Sequence, residues 1–240
     1  MTDDPSQQNG KLNSSVNLVR SSHSWTEADS AAGFVLRYLT PMRRQLTEIM
    51  GSTKEADESL KLLLSHLVTA GFGEHRRGRL RDFLVRGVRS CAKARVAEIP
   101  EAERPNLNLD EIKLDSKTWL QCWRDCLLER AWRALERHQH THPETFAYTV
   151  LKSATDNPKA LPDELFRIVK KQLAKNGRAI DTSHDLDVMT VGTKLAEARA
   201  LFAQLIADEV VETLESPDPD AVKKEINSLG LGRAFDGLGV

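Results

Sequence analysis

The chain has 240 residues, a formal net charge of −1, 40% hydrophobic and 29% charged residues, a balance that excludes wholesale disorder and allows one large domain or two small ones. Aromatics are only 5%, while Ala, Leu, Arg, Lys and Glu dominate, so helices are favoured over strands. No apolar run approaches the roughly 18 residues needed to span a bilayer, the first residues hold no signal-peptide core, and three cysteines form no even framework, so a cytoplasmic protein without membrane attachment is expected.

Residues 1–24 are rich in Ser, Asn, Gln and Asp and are expected to form a disordered arm. From Trp25 the pattern turns helical. Phe34, Val35, Tyr38, Leu39, Met42, Leu46 and Ile49 recur at three and four residues, with Pro41 expected to kink or split the helix and Gly51 to end it. Ser52 and Glu55 form a capping box for a second helix, whose buried face should be Ala56, Leu60, Leu63, Leu64, Leu67 and Val68. Residues 71–75, GFGEH, break it, and a third helix is expected from about Arg77 to Val96. Two prolines and no clean period mark residues 98–114 as a linker.

Asp115 or Ser116 caps a strong helix with Leu120, Trp123, Leu127, Ala131 and Leu135 in register. HPETFAYTVLKS is a shorter helix, and Pro162 opens another lined by Leu165, Ile168, Val169 and Leu173. After the turn NGRAIDTSHD, a long helix from about Asp185 to Leu214 carries Val188, Val191, Leu195, Ala198, Phe202, Leu205 and Ile206. SPDPD ends it, and a short helix with Val222 and Ile226 follows. The expected fold is all-α, with two small helical domains at 25–97 and 115–229, a linker between them and a tail at 230–240.

The densest chemical signal is residues 75–96, with eight Arg or Lys and one Asp. Arg79, Arg86, Arg89 and Lys93 fall on one side of a helical wheel, and Leu80, Phe83, Leu84, Val88 and Cys91 on the other. A helix buried on one side and cationic on the other suits a phosphate backbone. A soluble face usually mixes signs. The helices around the Asn176–Gly177 turn are compatible with a helix–turn–helix, as well as with an ordinary helical hairpin. Cys122, Cys126, His138, His140 and His142 have spacings that zinc could use, but the cysteines read better as core and the histidines as exposed, so no metal is expected. There is no phosphate loop, nucleophile elbow, HExxH or Rossmann fingerprint, so neither enzyme activity, a cofactor nor a small-molecule substrate is expected.

Several stretches, taken in order, resemble bacterial sigma factors of the extracytoplasmic-function type, within the sigma-70 family, and in particular its divergent planctomycete-like group. The most specific is FGEHRRGRLRDFLVRGVRS, where Arg77, Gly78, Arg79, Arg81, Asp82, Phe83 and Leu84 match an RGRFRDFL pattern. RYLTPMRRQL, GSTKEADESLKLLLSHL, WLQCWRDCLLERAWRALE and ALFAQLIADEVVETLESPDPDAVKKEINSLGLGRAF match further family stretches, over roughly residues 25–235. The resemblance implies an initiation factor directing promoter recognition, with core RNA polymerase, promoter DNA and an anti-sigma factor as partners. It implies polymerase docking by Asp57, Glu58, Lys61, Leu62 and Ser65. It also implies DNA contact through Arg76, Arg77, Arg79, Arg81, Arg86, Arg89 and Lys93 near the −10 element, and through Arg178, Thr190, Thr193, Lys194 and Arg199 in the second domain. Gly192 and Glu197 stand where the family offers arginine. A second reading is therefore a degenerate sigma-like interaction protein that binds polymerase or another protein without −35 recognition.

Overall fold

The computed structural model describes residues 15–19, 23–104, 107, 112–175 and 186–239. Among these it is all-helical, with α1 (Ala31–Leu36), α2 (Leu39–Met50), α3 (Thr53–Ala70), α4 (Leu80–Glu98), α5 (Lys117–Thr141), α6 (Ala147–Asp156), α7 (Pro162–Lys175), α8 (Val188–Glu212) and α9 (Pro219–Ser228). The ends follow local chemistry. Pro41 lies in the first turn of α2, where its missing N–H breaks no helical bond, and the stripe is split just upstream, at Tyr38. Gly51 at φ +64° closes α2. Side-chain oxygens of Ser52, Ser116, Asp187 and Asp218 accept from the first-turn amides of α3, α5, α8 and α9. On α3 the expected face is buried at Ala56, Leu60, Leu63 and Leu67, whereas Val68 is 74% exposed.

Packing does not follow the division expected at residues 98–114. One large core joins Tyr38 at the cap of α2, Met42 and Leu46 of α2, Leu63 of α3 and Leu84 of α4 to Trp119, Trp123 and Leu127 of α5. It also takes in Ile206 and Val210 of α8 and Val222 of α9. A smaller core gathers Leu135 at the end of α5, Val150 of α6, Val169 of α7 and Val191 of α8. The cores meet within the long helices α5 and α8, each of which contributes to both. The reason is the bulk of two indoles: Trp123 stacks on Tyr38 at 5.0 Å between ring centres and lies 5.9 Å from Trp119, and α2 supplies the partner surface. Ile112, inside the expected linker, is also buried.

The N-terminal arm departs from expectation as well. Residues 1–14 and 20–22 lie outside the described residues, but Val16 and Leu18 are buried. Val16 N–H donates to the Gly239 carbonyl at 2.9 Å. Asn17 and the Gln204 side chain exchange hydrogen bonds of 2.9 and 2.8 Å. The Ser24 hydroxyl donates to the Leu214 carbonyl at 2.6 Å. Val16 and Leu18 alternate around Asn17, and that short pattern is outweighed by the polar composition around it. The tail is packed too, through Leu231 and Phe235.

Because the first three long helices share their core with α5, α8 and α9, a fragment of residues 23–104 is expected to lack native near-ultraviolet circular dichroism and to bind a hydrophobic dye. Trp123→Ala in the full chain is expected to cost roughly 3–5 kcal/mol in urea unfolding. A fragment that unfolds cooperatively with native-like aromatic signals would restore the two-domain division.

Candidate partner and nucleic-acid interface

The site is built on the α3–α4 hairpin and the loop before α4. Gly78 takes φ +74°, a conformation that favours glycine, and this aims its backbone at two neighbours. Its carbonyl accepts from Trp25 Nε1 at 3.1 Å and from Glu215 N–H at 3.0 Å, and its N–H donates to the Glu215 carboxylate at 2.5 Å. Leu80 N–H donates to the Thr213 carbonyl at 2.8 Å. The loop is thus fastened to the end of α8.

Two of the arginines expected on DNA are engaged inside the protein. Arg81 is 3% exposed. Its Nε and Nη2 donate to the Glu225 carboxylate of α9 at 2.5 and 3.1 Å, Nη1 to the Leu114 carbonyl at 3.3 Å and Nη2 to the Ser228 hydroxyl at 3.4 Å. A guanidinium so enclosed cannot reach a phosphate, which corrects the expectation for Arg81. Half-buried Arg79 donates to Asp82 at 2.8 Å and to Glu225 at 3.4 Å, so its charge is also engaged. Arg76 donates to the Thr26 carbonyl at 2.9 Å and lies over the Phe72 ring. Arg95 joins Glu55 of α3 at 2.7 Å and Glu98 at 2.8 Å.

The cations left on the outer side of the α4 region are Arg77, Arg86, Arg89 and Lys93, all exposed. Arg77, Arg86 and Lys93 make no ion pair or hydrogen bond with the described residues.

The residues expected to face polymerase lie along α3. Asp57 accepts two hydrogen bonds from Arg43 of α2, at 2.6 and 2.9 Å, and that guanidinium holds its carboxyl below the usual carboxylate range. Glu58 pairs with Lys61 at 2.6 Å. Ser65 is exposed, and Leu62 is half-buried. Leu62 and Arg86, expected in separate sets, line one groove of about 460 Å³ with His66, Phe83 and Cys91. The helices approach closely there because Gly87 has no side chain; a Cβ at that position would lie 3.0 Å from Leu63 Cδ1. Burial pushes the Cys91 thiol up to about 12, so it is a protonated wall atom and no nucleophile.

The second set is more dispersed. Arg178 lies outside the described residues. Thr190 belongs to the α8 cap, its N–H donating to Asp187 at 2.7 Å. The Thr193 hydroxyl donates to the Met189 carbonyl at 3.2 Å, and Lys194 pairs with Glu197 at 3.0 Å. Arg199 is exposed but shares a cleft with Arg233 of the C-terminal segment. The second half of α8 is in the large core, so a groove could admit only its first turns.

The cysteine and histidine set is not brought together. Cys126 is buried, with its thiol pushed by burial up to about 11. His138 and His142 stack 4.5 Å apart near the other end of α5, about 24 Å along the helix from Cys122 at ~1.5 Å per residue. Among the described residues no group of three or more metal-ligating side chains converges.

Glu225 is the residue that sequence reasoning passed over. It lies three residues after Val222 and next to Ile226, on the face those two bury, and an acidic residue on a buried face needs a cationic partner. No protein-family model matches the chain, and no curated protein or solved structure matches it either.

Arg81→Ala is expected to destabilise the fold by roughly 3–5 kcal/mol by leaving Glu225 buried and unpaired, while Arg86→Ala stays within about 0.5 kcal/mol of wild type. Urea midpoints of the two variants compare a structural arginine with a surface one directly.

Proposed function

We propose that the chain is a sigma-type RNA polymerase factor that docks on core polymerase through the outer side of α3 and lays the exposed cations of α4 along promoter DNA near the −10 element. The observation that carries this reading is the shared surface of the hairpin. Leu62 and Arg86 line one groove, and Arg89 and Lys93 continue the cationic edge one and two turns along α4. An apolar contact beside a one-sign edge suits a protein partner that delivers the chain to a polyanion. The family resemblance supplies the identity of both partners, and the exposure of these side chains supports it.

A second reading, an interaction protein that binds polymerase or another protein without −35 recognition, is favoured by α8. Its early turns offer Lys194 already paired with Glu197, Asp187 at the cap and no side chain at Gly192. Such a surface has little to set against phosphates or base edges.

Retention of the full chain on immobilised core polymerase tests the docking face, and Glu58→Arg is expected to weaken it without shifting the urea midpoint. Equal retention of variant and wild type would remove α3 from the interface. In promoter opening with core enzyme, replacing Arg86, Arg89 and Lys93 together by Ala is expected to lower affinity and flatten the log–log salt dependence, by about 0.7–0.9 per lost phosphate contact. Unchanged opening and slope would leave these cations as a solvated face. Polymerase binding without any promoter opening would select the second reading.

A further inference from the structure

We propose that the cleft between α6, the middle of α8 and the C-terminal segment binds a nucleoside monophosphate. The cleft, half open to solvent, has a volume of about 530 Å³, within the ~300–1,000 Å³ range of small-molecule sites. Arg199 from α8 and Arg233 from the C-terminal segment both line it, and neither engages a described residue by ion pair or side-chain hydrogen bond. With Asp236 also in the lining, the cleft carries one net positive charge. A phosphate dianion complements it, and the planar guanidinium fork matches phosphate oxygens two at a time.

The rest of the lining selects the ligand's body. Leu151, Phe202 and Leu238 give apolar wall, against which a planar base can lie. Asp236 lines the same cleft. Its carboxylate repels a bare anion but accepts hydrogen bonds from hydroxyls, so a sugar between base and phosphate answers all three features.

The C-terminal wall is built before any ligand arrives. Ala234 N–H donates to the Leu231 carbonyl at 3.0 Å, and Leu238 N–H to the Phe235 carbonyl at 3.1 Å. Val16 N–H then pins Gly239 at 2.9 Å, and Gln204 of α8 holds Asn17 beside it. A preformed wall spares the ligand the cost of ordering the segment. The site uses none of the residues assigned above to polymerase docking or to the α4 edge; it shares only Arg199 with the second-domain set.

The full chain is titrated calorimetrically with AMP, adenosine and inorganic phosphate at physiological ionic strength. AMP is expected to saturate one site, with adenosine and phosphate each at least about tenfold weaker, and Arg199→Ala and Arg233→Ala each to weaken AMP by about tenfold or more, as loss of a charge-assisted contact should. Both arginines are exposed, and unchanged urea midpoints confirm that the variants are folded. The proposal is overturned if AMP does not bind. It is equally overturned if the double variant binds AMP as tightly as wild type, or if inorganic phosphate binds as tightly as AMP.

Discussion

The arrangement of the chain turns on one buried ion pair. Arg81 in the first turn of α4 and Glu225 in α9 are 144 residues apart, and their side chains are only 4% and 3% exposed. Removing two charges from water costs several kcal/mol each, and their attraction offsets this only when geometry and further hydrogen bonds are good. Here the fork is bidentate, with the Leu114 carbonyl and the Ser228 hydroxyl taking remaining donors. Losing either partner would strand a buried charge, so the pair favours this docking of α9. Around it, Gly78 joins Trp25 and Glu215, and Leu80 joins Thr213. The start of α4 is therefore where the beginning, middle and end of the chain meet.

The two long helices extend that constraint across the molecule. Each has 25 residues, about 38 Å at ~1.5 Å per residue, and each contributes to both cores. At the join, Phe202 of α8 packs on Trp132 of α5 at 4.6 Å, and Arg130 forms a bidentate pair with Glu209 at 2.5 and 3.0 Å. Burial raises the Glu209 carboxyl, and the Arg130 guanidinium beside it opposes that rise. Moving the α6–α7 layer relative to α4 would require bending two continuous helices, which have no proline inside them to localise a hinge. The cationic edge of α4 and the early turns of α8 are thus held at a set separation by the fold itself.

Helix ends and buried faces were legible because both are local. Ser52, Ser116 and Pro162 mark helix starts, Gly51 marks an end, and three- and four-residue spacing finds the core stripes of α2, α5 and α8. What periodicity lacks is the identity of the partner. Residues 98–114 look like a linker by composition, yet Trp119 just beyond them packs into the same core as Tyr38 and Met42. Val68 fits the α3 stripe but falls past its packed stretch. For the site, the wheel separates a cationic side of α4 from an apolar one, and Arg86, Arg89 and Lys93 do lie outside. It says nothing of Arg81, whose burial depends on an acidic residue five helices later in the chain.

This distribution bears on what the sigma-like stretch can mean. Of the seven residues that carry its most specific likeness, six serve the interior. Gly78 and Arg79 make the loop contacts, Arg81 and Asp82 form the ion network, Phe83 packs edge-on against Phe72 at 5.3 Å and lies 5.5 Å from Trp25, and Leu84 is fully buried. Only Arg77 is turned outward. Side chains that hold a fold together are accounted for by packing, because replacing them would expose cavities or strand charges. Such a motif says little of a DNA contact. That contact would have to come from Arg86, Arg89 and Lys93, which lie beyond the seven matched residues and are exposed. The cations that resemble the family and the cations able to reach a polyanion are therefore largely different side chains. Loss of nucleic-acid binding could proceed on the outer edge of α4 with the motif intact.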